Sequence, residues 1–284
     1  MRKLVVTVVL SAFALVAHGQ STAIGLWGGV SNYMGDLSDD AINVSETHAA
    51  VGGLLKLSPN PFVTFRFGLS ALTISGDDAN RPDDDPLRVR NLSFKSQIVE
   101  MAAIAEINLI GYDVEMGDVF SPYIFGGVAG IYHNPRALYE GAWYNLVEFR
   151  TEGQGTSAFP DRDPYSRYQV VFPFGAGFKF GLGSGLTLGI EASMRYTLTD
   201  YLDDVSQTYV DPNVLILEEG DLAYRLSNRS GEYLGGLPVD YTNDDPRGNP
   251  DNNDWFVSAG VSLTYTLGMP IGGGKNKEGC DYGF

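Results

Sequence analysis

Tyr168-Gln169-Val170-Val171-Phe172-Pro173-Phe174-Gly175-Ala176-Gly177-Phe178-Lys179-Phe180-Gly181 divides cleanly by parity. The even positions are Tyr168, Val170, Phe172, Phe174, Ala176, Phe178 and Phe180, while the odd ones hold Gln169, Val171, Pro173, Lys179 and three glycines. A period of two is that of a β-strand, whose side chains alternate between faces. Strands of soluble domains usually run ~5–6 residues, so this stretch is long. Leu186–Thr199 and Trp255–Leu267 repeat the pattern, the first setting Leu186, Leu188, Ile190, Ala192, Met194, Tyr196 and Leu198 on one face.

Working outward, five earlier stretches alternate less cleanly, at about 22–33, 47–57, 62–74, 93–110 and 122–133. The resulting eight strands are joined alternately by short and long segments. Ser58-Pro59-Asn60-Pro61, about ten residues from Gly111, and Leu182-Gly183-Ser184-Gly185 are short; about 34–46, 75–92, 134–167 and 200–254 are long. Short turns on one side and long loops on the other is the plan of an outer-membrane barrel, and an even strand count brings both termini to the short-turn side. The predicted fold is therefore all-β: an eight-stranded antiparallel transmembrane β-barrel with short periplasmic turns and long extracellular loops.

Charge placement fits that register. Arg66, Glu100, Glu106, Lys179, Glu191 and Arg195 all fall on the faces opposite the apolar ones. On a lipid face each would cost ~2–4 kcal/mol near the midplane, so they are expected to pair inside the lumen. Eight strands leave a lumen just wide enough for side chains to fill, which predicts a plugged interior. Trp255, Tyr265, Tyr196 and Tyr168 fall near strand ends, at girdle positions. A soluble ligand-binding barrel would instead turn its apolar face inward.

The N-terminus reads as an export signal. Met1-Arg2-Lys3 precedes the apolar run Leu4–Val16, too short to span a bilayer as a helix, and Ala17-His18-Gly19 supplies small residues for cleavage after Gly19. The expected division is a signal peptide at 1–19, a barrel at 20–268 and a flexible periplasmic tail at 269–284, located in the outer membrane. The 284 residues carry 19 Lys and Arg against 35 Asp and Glu, a net charge of −16. That balance argues against nucleic-acid binding, which needs a basic face. A single cysteine, Cys280, allows no internal disulfide. The acids concentrate in the loops, above all between Thr199 and Asp254, where a solvated surface is the plainest account.

Few constellations suggest chemistry. His48 and His133 fall near the upper strand ends, with Ser31, Asp36 and Asn134 in the same region, but no nucleophile–base–orienter spacing can be read. Asp83-Asp84-Asp85 and Asn249–Asp254 are rich in oxygen ligands yet lack the alternate-position spacing of a calcium loop. No catalytic residue, metal or cofactor is expected.

The loops carry a series of distinctive motifs in order. They are Tyr33-Met34-Gly35-Asp36-Leu37, Arg90-Asn91-Leu92-Ser93-Phe94 and Tyr132-His133-Asn134-Pro135-Arg136-Ala137, then Thr151-Glu152-Gly153-Gln154-Gly155 and Thr199-Asp200-Tyr201-Leu202-Asp203-Asp204-Val205-Ser206. Arg247-Gly248-Asn249 and Asp254-Trp255 close the series. Across essentially the whole mature chain this resembles the PorG family, outer-membrane barrels of the Bacteroidetes type IX secretion system. The resemblance implies a non-enzymatic component that ties a periplasmic ring, built from a lipoprotein and its partner subunit, to the outer membrane. Gly35, Asp36, Asn91, Asn134, Pro135, Gly153, Gln154, Gly155, Asp200, Tyr201, Asp203, Asp204, Arg247, Gly248, Asp254 and Trp255 are the motif positions it singles out, for loop packing or partner contact. The competing expectation is a stand-alone small barrel, either a lipid-modifying enzyme or a porin or adhesin.

Overall fold

The computed structural model describes residues 21–38, 40 and 42–268. The expected signal peptide and the tail from residue 269 lie outside the described residues. Ten strands form in chain order: β1 (Ser21–Met34), β2 (His48–Asn60), β3 (Val63–Asp77), β4 (Ser93–Asn108), β5 (Phe120–Tyr132), β6 (Pro135–Tyr139), β7 (Ala142–Asn145), β8 (Tyr168–Gly183), β9 (Leu186–Thr197) and β10 (Trp255–Thr266). Eight of them, all except the short β6 and β7, pair antiparallel in the order β1-β2-β3-β4-β5-β8-β9-β10. Pairing of β10 with β1, from Ala23↔Thr266 to Met34↔Trp255, closes the ring. The fold is a closed eight-stranded antiparallel barrel whose strands run 12 to 16 residues.

The barrel is inverted relative to a soluble one. Along β4 the inward positions Ile98, Glu100, Ala102, Ile104, Glu106 and Asn108 are buried, while Val99, Met101 and Ile107 between them are exposed. Leu26 is 73% and Met101 70% exposed, with Phe65, Leu69, Val128, Ile190 and Val261 around the same belt. Leaving such side chains in water would forgo ~1.5–3 kcal/mol each, so the surrounding medium must be hydrocarbon. No helix among the described residues is long and apolar enough to cross a membrane; the strands make the crossing. Aromatic rings gather at both ends of the belt, as Tyr132–Tyr168, Phe172–Tyr196 and Tyr196–Trp255 above and Phe120 with Phe178 and Phe180 below.

Connections sort by end. Pro61–Phe62 and Ser184–Gly185 are two-residue turns, the latter with both residues at positive φ (51° and 77°), the geometry that matches strand twist. The third, 109–119, folds Tyr112 back so that its hydroxyl meets Thr187 Oγ1 at 2.8 Å. At the other end the long segments bury Asp200, Asp203, Asp204 and Asp254, which corrects the expectation of a solvated surface at those four positions, while Glu218, Asp221, Glu232, Asp240, Asp244 and Asp251 are exposed. These segments fold together into a cap. Hairpin β6–β7 continues the sheet beyond the rim by pairing with β4 at Lys95↔Arg136 and Ser96↔Pro135. Between β9 and β10 lie three short helices, α1 (Pro212–Glu218), α2 (Asp221–Ser227) and α3 (Ser230–Leu234). The Asp211 side chain accepts from Asn213 N at the start of α1, and Val210, Leu215 and Ala223 form a small apolar core there.

Candidate functional site

Inside the barrel, Glu106 is the hub. Lys179 Nζ lies 2.7 Å, Lys56 Nζ 3.1 Å and Arg66 Nε 3.3 Å from its carboxylate. Arg66 reaches on to Glu191 at 2.5 Å, and the Tyr123 hydroxyl donates to the same Glu191 oxygen at 2.6 Å. Nearer the outside, Arg195 bonds Glu100 at 3.1 Å and donates to the hydroxyls of Ser193 and Ser258. All six charges placed on the inward faces by parity lie in these two clusters. Lys56, which the sequence reading passed over, makes the lumen four cations against three carboxylates. It shares the inward parity of Ala50, Gly52 and Leu54, which was the available signal.

The lumen has little space left. Tyr123 and Phe125 lie across Gly177 and Gly175, where a Cβ would fall 2.8 Å from the Tyr123 ring and 2.7 Å from the Phe125 ring. Lys179 and Arg66 sit over those rings, 4.7 Å from their centroids. The cavity remaining beside Arg66, Glu100, Glu191 and Arg195 is about 40 Å³.

Above the lumen, motif residues from all four long loops meet. Arg247, 2% exposed, donates to Glu152 Oε1 at 3.1 Å and to the Asp204 carbonyl at 2.5 Å. Glu152 also accepts from the backbone amides of Ser206 and Gln207 and from the Tyr201 hydroxyl. Asp204 accepts from Thr151 and Tyr165. The Asp36 carbonyl accepts from both Arg81 and Arg90, and Arg90 donates to the Arg247 carbonyl, so three loops share one junction. Gly248 is needed there: a Cβ would lie 2.5 Å from Asp36 Oδ2 and 2.7 Å from Ser206 N. At Gly35 it would lie 2.0 Å from Asp254 Oδ1.

One part of this junction lacks cations. The Tyr33 hydroxyl, from the top of β1, is 2.7 Å from both Asp203 Oδ2 and Asp254 Oδ1. Burial raises both carboxyls well above their usual range, with the Asp254 charge adding for Asp203 and the Asp200 charge adding for Asp254. Asp200 is pushed up to about 9 by burial and by Asp36, Asp203 and Glu152, with the Ser206 side chain opposing. Asp204 rises to about 6 through burial, against the pull of Arg247.

The remaining motif positions sit around this centre rather than in it. Asn91 turns the chain at φ 54° and donates to the Arg229 carbonyl; Asn134 donates to Asn145 where Pro135 begins β6. Gly153 and Gly155 adopt positive φ on either side of the buried Gln154. Trp255 packs on Tyr196 at the outer rim. The histidines stand apart. His133 is fully buried, held to the Ser166 carbonyl at 3.1 Å, and burial lowers it to about 4. His48 Nε2 is 2.6 Å from Ser75 Oγ, but Glu46 accepts a hydrogen bond from that serine and reaches the histidine only through its charge. In a nucleophilic triad the acid orients the base, so the order here is a different one. Ser31 donates to the Thr73 carbonyl. Among the described residues no group of His, Cys, Asp and Glu could hold a metal ion; Asp83 and Asp85 pair with Arg88 and Arg81.

Among solved structures the chain is similar to Neisserial surface protein A (7% identity, 88% of this chain and 100% of that one, TM-score 0.43). It is also similar to a major outer membrane protein from Thermus thermophilus (13%, 88% and 100%, 0.40) and to the outer membrane enzyme PagL (12%, 89% and 100%, 0.31). The barrel assignment rests on the strand pairing and not on these likenesses. No curated protein matches the chain. A family model matches residues 2–223, and the chain belongs to the family it describes, a domain of unknown function, DUF6089.

Proposed function

We propose that this outer-membrane barrel is a non-enzymatic component of the type IX protein secretion machinery that ties the periplasmic ring complex to the outer membrane. The ring lipoprotein and its partner subunit are its proposed contacts. The observation that carries the reading is the convergence of the ordered loop motifs on one buried junction above a filled lumen. A barrel sealed by ion pairs inside and folded loops outside suits a rigid anchor better than a conduit. The resemblance of those motifs to the PorG family supplies the machine to which it is anchored. On the periplasmic side the longest turn, 109–119, is ordered by Asp113 and Asp118 yet exposes Met116 and Val119, an apolar contact suited to a ring subunit.

The test is purification of the tagged barrel from gently solubilised outer membranes, followed by mass spectrometry. Recovery of a periplasmic lipoprotein and one partner subunit in near-fixed ratio is the expected result. Recovery of the barrel alone, under conditions that preserve other envelope complexes, sinks the proposal and leaves a stand-alone barrel.

A further inference from the structure

Two cavities are stacked along the outer half of the seam where β1, β10 and β9 run side by side. The lower is a groove of about 460 Å³ on the hydrocarbon side. Its floor is Ala259 of β10 beside Ala192 of β9, which are direct cross-strand partners. Val30, Phe174 and Met194 form its walls, and Ile42 and Asn32 line its upper end. Small residues between large ones leave a channel running along the strands. The upper cavity, about 580 Å³, begins at Met34, Tyr196 and Trp255 and continues between Asp36, Asn249, Asp251 and Asn252. Trp255 pairs with Met34 and Tyr196; Val257, the next outward residue, pairs with Asn32 and Met194. The two cavities therefore follow one another on consecutive outward rungs.

We infer that together they bind one sugar-headed lipid of the outer leaflet, the head in the upper pocket and an acyl chain in the groove. Three observations select this occupant. The groove lies within the outward apolar belt, so hydrocarbon covers it, and its upper end lies one outward rung below Tyr196 and Trp255 of the aromatic girdle, where headgroups begin. The upper pocket offers exposed amides, which both donate and accept, and carboxylates, which accept. These are partners for hydroxyls, beside the Tyr196–Trp255 pair with centroids 4.9 Å apart. Finally, the pocket disfavours a phosphate head. Among the described residues that line it, the one cation, Arg81, is already bound to Asp78 and Asp85, while Asp36 and Asp251 would repel an anion. The site is independent of any role in secretion.

Native mass spectrometry of the full chain, released from a polyoxyethylene detergent, tests this. The probes are digalactosyl diacylglycerol, phosphatidylglycerol of matched chain length, and maltose alone. One digalactosyl lipid should remain per barrel, at least about tenfold better retained than the phospholipid, a difference of ~1.4 kcal/mol; maltose, having no chain for the groove, should not be retained. Ala259→Trp, filling the groove from the lipid side, and Trp255→Ala, opening the head pocket, should each weaken retention about tenfold. Met101→Trp, outward on β4, should leave it unchanged. Should Ala259→Trp not fold, Trp255→Ala keeps the test decisive. Equal retention of the two lipids, retention of maltose alone, or an adduct insensitive to the seam variants overturns the inference.

Discussion

Tyr33 has one phenolic proton and two carboxylates within 2.7 Å. It can donate to one; the other contact is satisfied only when that carboxyl keeps its own proton and donates back. Tyr33→Phe would leave Asp203 and Asp254 buried without their bridge, a loss of ~1–3 kcal/mol in cap stability. The expected readout is faster proteolysis within residues 198–254 while the barrel remains folded in detergent. The raised pKa values give a pH dependence with a definite sign. A carboxyl raised from 3.8 to about 9, as Asp200 is, stabilises fully below pH 3.8, and that contribution is lost as pH rises toward 9. His133, lowered from 6.5 to about 4, acts oppositely: its contribution is complete above pH 6.5 and is lost as pH falls through 4. Of these two effects, only that of the carboxyl remains from pH 6.5 to 9. Hydrogen exchange at the Leu202 and Val205 amides, which donate to Asp254 and Asp203, should lose protection across that window once intrinsic rates are corrected. Constant protection would refute the proton-holding junction.

At the scale of elements, β2, β3, β4 and β8 bring the Glu106 hub together from four strands. Glu106→Gln removes the shared counter-charge of Lys56, Lys179 and, in part, Arg66. Breaking a buried network from one side costs ~3–5 kcal/mol, and urea unfolding in lipid vesicles should show a loss of that order. Met101→Arg, facing outward on β4, should cost ~2–4 kcal/mol near the midplane by a different route, through lipid contact. Such strands were legible because the membrane imposes one rule on every outward residue, so parity alone separates lipid from lumen. Strand ends were set within a few residues by Pro61, Gly185 and the charged loop starts. The β6–β7 hairpin was not read. Its turn, Glu140–Gly141, has both residues at positive φ (47° and 82°) but lacks the Asn or Asp that usually announces such a turn. The helices α1 to α3 are only five to seven residues long, too short to leave a periodic signal; Asp211-Pro212 was the one local start mark.

For the molecule as a whole, the lumen network and the Tyr112–Thr187 contact block passage independently of the loops. Planar-bilayer recordings should show no conductance steps, and removal of residues 211–240 should leave the barrel silent; stepwise conductance in the intact protein would contradict the filled lumen. The cap was the part of the structure the sequence hid. Its bonds join residues far apart in the chain, such as Glu152 with Arg247 and Tyr33 with Asp254, and a minority of the loop charges, Asp200, Asp203, Asp204 and Asp254 among them, are buried by contacts that one dimension does not show. The bond from Tyr33 to Asp254 also sets an order of events. Tyr33 belongs to the first strand of the barrel, and Asp254 directly precedes the last, so the cap cannot set until those two strands have met. A chain inserted in the membrane but still unzipped at that join would offer its loops to a protease at the cell surface. The folded cap thus acts as a seal of completion, readable from outside the cell, for a ring closed inside the bilayer.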